Sequence, residues 1–306
     1  MSADTVEPKL VSSLSLVIPL FNEQESLEPL WREIQQIGAQ EHYSLEVVFV
    51  DDGSTDGSWE VIRKLASEDS RIKGIKFRTN FGKAAALSAG FATARGELVV
   101  TMDADLQDDP HEIPNFLKTL RQGYDLVSGW KKIRFDPWHK VFPSRVFNFL
   151  VSSATGVHLH DHNCGMKIYR REVTGEISLY GEMHRFIPSL AVMRGFRVGE
   201  MVLHHRPRKF GRSKYGAKRF IKGFLDLITV TFRKRFGQRP MHPLGFIAGF
   251  SISVGVVVCL LGQPGWAWFL WLVGFQFFLS GLLAELQLGQ KSERLETYAV
   301  SDRIGS

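Results

Sequence analysis

The chain has 306 residues, of which 44% are hydrophobic and 23% charged, and its formal net charge is +6. That is enough apolar material for one large domain plus an appendage, and too much for a disordered polymer. The two cysteines, Cys164 and Cys259, exclude a disulfide framework and suit a reducing compartment, and residues 1–10 carry no apolar run, so no cleaved signal peptide is expected.

In chain order, residues 14–20 read as a strand, and residues 23–37 as a helix with Leu27, Leu30, Trp31 and Ile34 on its apolar face. Residues 45–50 form the second predicted strand, which stops at Asp51-Asp52-Gly53-Ser54-Thr55-Asp56. A helix over 57–66, a strand over 71–77, an alanine-rich helix over 83–93 closed by Gly96, and a strand over 97–102 follow. Pro110 starts another helix, and residues 124–128 make a fifth strand. Near-continuous apolar strands separated by helices predict a mostly parallel sheet covered on both faces. Ligands of such sheets bind beyond the carboxyl ends of the strands, where Asp51-Asp52 and Asp103-Asp105 both fall. Residues 130–161 loosen into a basic, proline-containing segment with an apolar helix-like stretch at 146–151, and residues 164–203 return to mixed structure.

The tail differs in character. Between Arg206 and Arg239 there are twelve basic residues and one acid, Asp226, a balance of +11 that leaves −5 for the rest of the chain. Such a block marks a polyanionic partner: nucleic acid, a phosphorylated ligand or an anionic membrane. Phe220, Phe224, Ile228, Phe232 and Phe236 recur every four residues, joined by Ile221, Leu225 and Leu227 and flanked by Lys218, Arg219, Lys222, Arg233, Lys234 and Arg235. That pattern predicts a helix lying among headgroups; the alternative is an ordinary surface helix packed on the core. Two uncharged stretches follow, 244–262 and 265–284, parted by Gln263-Pro264. Each is close to the ~20 residues that cross a bilayer. Trp266, Trp268 and Trp271 cluster at the turn, while Arg233 to Arg239 before the pair and Lys291 and Arg294 after it place both ends on the cytoplasmic side. A buried soluble hairpin is the alternative. The membrane reading takes precedence over nucleic acid, which is not expected as a partner.

The octapeptide Asp103-Ala104-Asp105-Leu106-Gln107-Asp108-Asp109-Pro110 sets two carboxylates one residue apart at a strand end. That is a hard, oxygen-rich corner for Mg²⁺ or Mn²⁺ and the diphosphate it would hold, or else a solvated helix cap before Pro110. Asp51 or Asp52 suits a base imide or a ribose hydroxyl, with Gly53 allowing a sharp turn beside it; a capping turn for the next helix is the alternative. Arg208-Lys209-Phe210-Gly211-Arg212-Ser213-Lys214 reads either as a phosphate clamp or as a headgroup-facing loop. Glu182-Met183-His184-Arg185 is less specific, and Asp161-His162-Asn163-Cys164 lacks the second ligand pair that zinc needs.

Five motifs occur in order: Ile18-Pro19-Leu20-Phe21-Asn22-Glu23, Val50 to Asp56, Asn80-Phe81-Gly82-Lys83, Met102 to Asp108, and Gly211-Arg212-Ser213-Lys214-Tyr215. From about residue 14 to the tail, the chain resembles the family-2 inverting glycosyltransferases. Within them it is most similar to the polyprenyl- and dolichyl-phosphate sugar synthases, the dolichyl-phosphate mannose synthase and bactoprenol glucosyltransferase types.

The resemblance implies an α/β fold: a Rossmann-like GT-A nucleotide-sugar-binding domain with a mostly parallel sheet, then an amphipathic juxtamembrane helix and a two-helix transmembrane hairpin. The corresponding ranges are an N-terminal tail at 1–12, the catalytic domain at 13–214, the juxtamembrane region at 215–240, the hairpin at 241–288 and a cytoplasmic tail at 289–306. Pro19, Phe21, Glu23 and Asp51 or Asp52 would hold the nucleoside, with Lys83 and Ala104 also against substrate. Asp103, Asp105 and Gln107 would serve the ribose, the sugar diphosphate and the metal, which Asp105 and Asp103 would bind. Arg208, Ser213 and Lys214 would meet phosphates of donor or lipid, and Arg185 the sugar or the acceptor phosphate. Asp161 falls where this branch places an acid near the acceptor, as a base or as an orienting group. Asp103, Asp105 and Asp161 are thus the implied catalytic residues.

The implied partners are a UDP- or GDP-linked sugar, a polyprenyl phosphate and the bilayer, with a homo-oligomer left open. The implied location is a bacterial inner or plasma membrane, crossed more than once, with the catalytic domain in the cytoplasm. A processive polysaccharide synthase would carry a Gln-x-x-Arg-Trp motif, which is missing here, and a nucleotidyltransferase would open its first strand into a glycine-rich loop. A membrane-anchored nucleotide-sugar-binding protein without transferase activity, or a transferase with another acceptor, remains the competing expectation.

Overall fold

β1 (Leu14–Leu20) is apolar along nearly its whole length and buried on both faces, and the sheet is built outward from it. The computed structural model describes residues 13–132, 138–204, 206–207, 218–236, 239–289 and 300–305. β1 pairs in parallel with β2 (Leu45–Asp51) on one side and β4 (Leu98–Thr101) on the other, and β2 pairs in parallel with β3 (Ile72–Phe77). Beyond β4 lie β6 (Lys167–Arg170), β5 (Leu126–Trp130) and β7 (Val198–Val202), so the order is β7-β5-β6-β4-β1-β2-β3-β8, with β8 at Val300–Ile304. β6 runs antiparallel to both neighbours and β8 antiparallel to β3; the other pairings are parallel, so the sheet is mixed but mostly parallel.

Alternation along β1 divides the two faces. Leu14, Leu16, Ile18 and Leu20 join a core with Leu27, Leu30, Trp31 and Ile34 of α1 (Gln24–Gln40) and with Trp59, Ile62 and Leu65 of α2 (Ser58–Glu68). Ile113, Phe116, Leu117 and Leu120 of α4 (Ile113–Leu120) complete that layer. Burying each large apolar side chain of this kind stabilises by roughly 1.5–3 kcal/mol. On the other face, Val17 meets α3 (Lys83–Thr93), whose Ala84, Ala85, Ala86 and Ala89 let the helix lie close to the strands. α5 (Trp138–Thr155), α6 (Arg171–Glu176) and α7 (Ile187–Met193) complete the helices before residue 204.

Element types agree with the sequence reading, and ends move by one to four residues. Pro110 opens a three-residue 3₁₀ turn, Pro110–Glu112, before α4, because Asp109 caps it through His111 N–H at 2.9 Å. The apolar stretch at 146–151 belongs to the longer α5, and the fifth strand slides to Leu126–Trp130 in register with β7. The last residues, read from sequence as a tail, supply β8.

Two compact units result: residues up to Leu227 together with 296–306, and residues 228–295. α8 (Lys218–Phe236) straddles that division, with Leu225, Ile228 and Phe232 exposed along one side. The second unit contains α9 (Met241–Leu260) and α10 (Pro264–Gly289), whose stretches Met241–Leu260 and Pro264–Leu286 have mean hydropathies of 2.2 and 1.7, both long and apolar enough to cross a bilayer. Gly255 lies against Trp271 and Gly274 against Ile252, while Ser251 Oγ donates to Leu270 O at 2.8 Å; small residues allow such close helix approach. Phe246, Phe250, Leu260, Trp266 and Trp268 face outward. Between the helices Gly262, at φ +80°, ends α9 with Gly262 N–H donating to Cys259 O and Gln263 N–H to Val258 O. This is the Schellman pattern, and Pro264 then starts α10.

α3 packs on β1 without room for a methyl: a Cβ on Gly90 would stand 2.2 Å from Val17 Cγ1. Gly90→Ala is expected to destabilise by about 1–3 kcal/mol through overpacking, read as a lowered Tm of the detergent-solubilised protein. Val17→Ala on the same background should restore most of the loss.

Candidate functional site

The parallel register places Leu20 opposite Asp51, and Val17 opposite Thr101 two residues before Asp103, so the loops after β1, β2 and β4 leave one edge of the sheet. The strand order reverses between β1 and β4, which is where open α/β sheets bind ligands.

The first two loops are stitched together. Asn22 N–H donates to Ser54 Oγ at 2.8 Å, Glu23 N–H to Ser58 Oγ at 2.9 Å, and Thr55 N–H to Asn22 Oδ1 at 2.8 Å. Asn22 holds φ +54°, a left-handed conformation that asparagine tolerates better than most residues. Pro19, Phe21 and Glu23 are thereby fixed beside the Asp51–Asp56 turn.

The acids of that turn divide their roles. Asp56 caps α2, accepting from Ser58 N–H at 3.0 Å. Asp52 accepts from Phe81 N–H at 2.7 Å and Gly82 N–H at 2.9 Å, holding the loop that enters α3. Asp51 Oδ1 accepts from Ser54 N–H at 2.8 Å, while its Oδ2 is buried with no hydrogen-bond partner among the described residues. Burial raises both carboxyls. Asp51 is raised against its Ser54 bonds, and Asp52 is pushed up to about 6 against its two amide bonds, with the Asp51 charge adding to the rise. A buried carboxylate oxygen without a donor suits a ligand N–H or O–H. Gly53, at φ +75°, has no room for a Cβ beside Thr79 and Asn80, so the turn requires glycine.

Asp103, Asp105 and Asp108 cluster after β4. Asp103 pairs with Lys83, the first residue of α3. Burial opposes its charge, but Lys83, Lys131 and Lys167 outweigh that and hold the carboxyl down at about 2. Asp108, fully buried, pairs with Lys131 at 2.9 Å and accepts from Asp103 N–H at 3.3 Å. Buried charges need such partners. Asp105 is 8% exposed and accepts from Gln107 N–H at 3.2 Å. Directly after Asp105, Leu106 takes φ +61° while its side chain sinks into the core, a turn that costs on the order of 1 kcal/mol. Gly165 closes the corner: a Cβ there would stand 2.5 Å from Asp103 Oδ2. The carboxylates of Asp103 and Asp105 beside a loop of this kind form a hard oxygen donor set that fits a divalent cation.

Gln107 is tied elsewhere. Its Nε2 donates to Arg206 O at 3.4 Å and its carbonyl accepts from Arg206 N–H at 3.0 Å. Arg206 bridges Glu33 at 2.8 Å and Asp109 at 2.6 Å. Glu33, Asp109 and His111 gather closely enough to hold a metal ion, but that guanidinium already answers their charge.

Asp161 is distant from this corner in sequence yet shares its field: Lys167, 3% exposed, feels both Asp161 and Asp103, and burial lowers its ammonium. Asp161 is 1% exposed and its Oδ1 accepts from Asn163 N–H at 3.1 Å. Arg185 is buried beside Glu182 at 3.2 Å and over the Phe147 ring at 5.9 Å, with Nε unpaired among the described residues. Arg208, Ser213 and Lys214 lie outside the described residues.

Sequence reasoning assigned no role to Lys131, Lys167 or Gly165. Lys131 was visible only as part of a basic segment. Lys167 and Gly165 have no local signal, because their importance comes from β6 being inserted antiparallel between β4 and β5, with Lys167 opposite both Thr101 and Ser128.

A family model described as glycosyl transferase family 2 matches residues 15–178. The chain is 39% identical over 282 residues to a dodecaprenyl-phosphate galacturonate synthase from Rhizobium johnstonii, covering 90% of this chain and 80% of that one. It is 36% identical to an undecaprenyl-phosphate 4-deoxy-4-formamido-L-arabinose transferase from Aeromonas hydrophila, over 82% of this chain and 76% of that one. Among solved structures, mannosyl-3-phosphoglycerate synthase from Rubrobacter xylanophilus aligns with a TM-score of 0.60 at 15% identity, over 73% of this chain and 75% of that one. Glucosyl-3-phosphoglycerate synthase from Mycobacterium tuberculosis, solved with Mn²⁺ and UDP-glucose, aligns with a TM-score of 0.55 at 20% identity, over 73% and 79%. These likenesses establish the GT-A fold.

Asp52 carries a pH signature. Its carboxyl is raised from 3.8 to about 6, so its contribution to stability is complete below the unfolded value and is lost as pH rises through the folded one. Between pH 4 and 6 the wild type should lose on the order of 2 kcal/mol from this group. Asp52→Asn should flatten that part of the profile, measured as Tm against pH.

Proposed function

The chain belongs to glycosyl transferase family 2, and from that premise we propose that it moves one sugar from a nucleotide-sugar donor to a polyprenyl phosphate at the cytoplasmic leaflet. The observation that carries this reading is the convergence, at the carboxyl ends of β1, β2 and β4, of a buried unpaired oxygen on Asp51 and the Asp103–Asp105 corner, whose Asp103 is held ionised. The relatives named for dodecaprenyl and undecaprenyl phosphates supply the acceptor class.

In this reading Asp51 Oδ2 accepts from the base or ribose of a UDP- or GDP-linked donor, with Pro19, Phe21 and Glu23 lining that side. Ala104 and Gln107 flank the diphosphate, and Asp105 with Asp103 would hold Mg²⁺ or Mn²⁺, which when bound neutralises charge on the leaving diphosphate. Lys83 keeps Asp103 ionised and in place. An oxygen of the acceptor phosphate attacks the anomeric carbon in line as the bond to the diphosphate breaks, inverting the configuration. A phosphate monoester, with its second pKa near ~6, is largely dianionic at neutral pH, so no proton need be removed. Asp161 therefore orients the acceptor rather than acting as an obligatory base. Arg185, Arg208, Ser213 and Lys214 are assigned to the phosphates and the sugar.

The proposed organisation is a catalytic domain over 13–214, an interfacial helix region over 215–240, a membrane hairpin over 241–288 and, over 289–306, a cytoplasmic segment whose Val300–Ile304 rejoins the sheet as β8. β8 supports it: the chain returns to pair with β3 after α9 and α10, which requires an even number of crossings. The basic flanks of the pair support a cytoplasmic catalytic domain in the inner or plasma membrane.

A panel of UDP- and GDP-linked sugars incubated with undecaprenyl phosphate and Mn²⁺ or Mg²⁺ tests the reading; a lipid-linked sugar should form with one donor. Asp105→Ala should lower kcat on the order of 10²–10³-fold, as for loss of one group that stabilises charge in the transition state, and equal turnover in mutant and wild type would sink the transferase assignment. Gly165→Ala, which pushes on Asp103 Oδ2, should cost on the order of 10²-fold in transfer while Tm changes little.

A further inference from the structure

Register carries a polar row across four strands on one face of the sheet. Thr101 of β4 faces Lys167 of β6, Lys167 faces Ser128 of β5, and Ser128 faces Glu200 of β7. Residues directly opposite one another share a face, so Glu200 stands on the same side as Lys167, the lysine that feels Asp161 and Asp103. Trp130, two residues beyond Ser128, is on that side too.

The Glu200 carboxylate is heavily used. Oε2 accepts from His160 N–H at 3.1 Å and lies 2.7 Å from His160 Nδ1, and Oε1 accepts from Asp161 N–H at 3.0 Å. The His160 ring stacks on the Trp130 indole at 3.9 Å between centroids and 13° between planes, and Asn148 of α5 donates to His160 O at 2.8 Å. Ring and main chain are therefore held from three directions, although the His160 side chain is 65% exposed. An exposed imidazole gains nothing for the core from such fixation. Its Nδ1 is taken by Glu200, which leaves Nε2 of this exposed ring without a partner among the described residues, one residue before Asp161.

We infer that Glu200 is a positioning residue that holds the Asp161 main chain and aims His160 Nε2 at the phosphate monoester of the acceptor; this rests on the transferase reading above. A carboxylate fixing one imidazole nitrogen so that the other meets a ligand is a recurrent arrangement.

The test uses full-length protein in detergent. Kinetics with donor and polyprenyl phosphate varied separately are paired with direct binding of farnesyl monophosphate, with farnesol as the control. His160→Phe keeps a ring on Trp130 and removes Nε2. It should raise KM for the lipid phosphate and Kd for farnesyl monophosphate about tenfold, the loss expected for one hydrogen bond to a charged group, and leave the donor KM unchanged. His160→Gln, which returns a polar nitrogen, should recover most of that loss. Glu200→Gln should raise the same two constants and also lower kcat, because Asp161 loses its anchor.

Equal acceptor constants in wild type and His160→Phe would overturn the inference. So would a common rise in donor and acceptor constants accompanied by a lowered Tm. Farnesyl monophosphate binding that weakens in His160→Phe, in a protein that transfers no sugar, would uphold the phosphate site and refute the transferase. Wild type that turns over donor but does not bind farnesyl monophosphate would refute the phosphate site alone.

Discussion

The ion pair between Lys83 and Asp103 is the contact on which the site depends. Asp103, Asp105, Asp108 and Asp161 are gathered at one edge of the sheet, and carboxylates that crowded would surrender charge to one another by taking up protons. Lys83 from α3, Lys131 after β5 and Lys167 in β6 reach the cluster from three elements and keep Asp103 ionised. The same pair joins two loops far apart in sequence, since Lys83 begins α3 and Asp103 follows β4. Asp52 secures the other end of that junction by gripping the Phe81 and Gly82 amides. One loop thus answers to both acidic motifs, and the Asp51–Asp56 turn and the Asp103–Asp105 corner are mechanically one.

Much of this was legible in the residues. Apolar runs ending in Asp51-Asp52 and Asp103-Asp105 announce parallel strands with acids at their carboxyl ends, because strand burial and strand-end chemistry are both local patterns. The division of labour inside Asp51–Asp56 was not legible: three carboxylates of one type separate into a cap, a loop clamp and an open acceptor only when Ser58, Gly82 and Ser54 are brought to them. Lys167 and Gly165 matter because an antiparallel strand is slotted between β4 and β5, and pairing partners so far apart in sequence leave no periodic trace. The strand near the C-terminus is hidden for the same reason: Val300–Ile304 earns its place from β3.

The paired apolar helices show the opposite balance, with almost everything written locally. Gly255 and Gly274 admit their neighbours, Gly262 supplies the left-handed residue that closes α9, and Pro264 starts α10 without needing an amide partner. Their outward aromatic and aliphatic side chains would be a liability in water and are ordinary in lipid.

The pairing of β3 with β8 also sets an order of assembly. β3 is complete after 77 residues, but its outer hydrogen-bonding edge is satisfied only by residues 300–304. During synthesis that edge must therefore stay open while α9 and α10 are made, and contacts between segments so distant in sequence form slowly. The β3 edge is covered last, after the hairpin has been produced. An incomplete chain thus exposes the β3 edge that β8 covers in the finished protein.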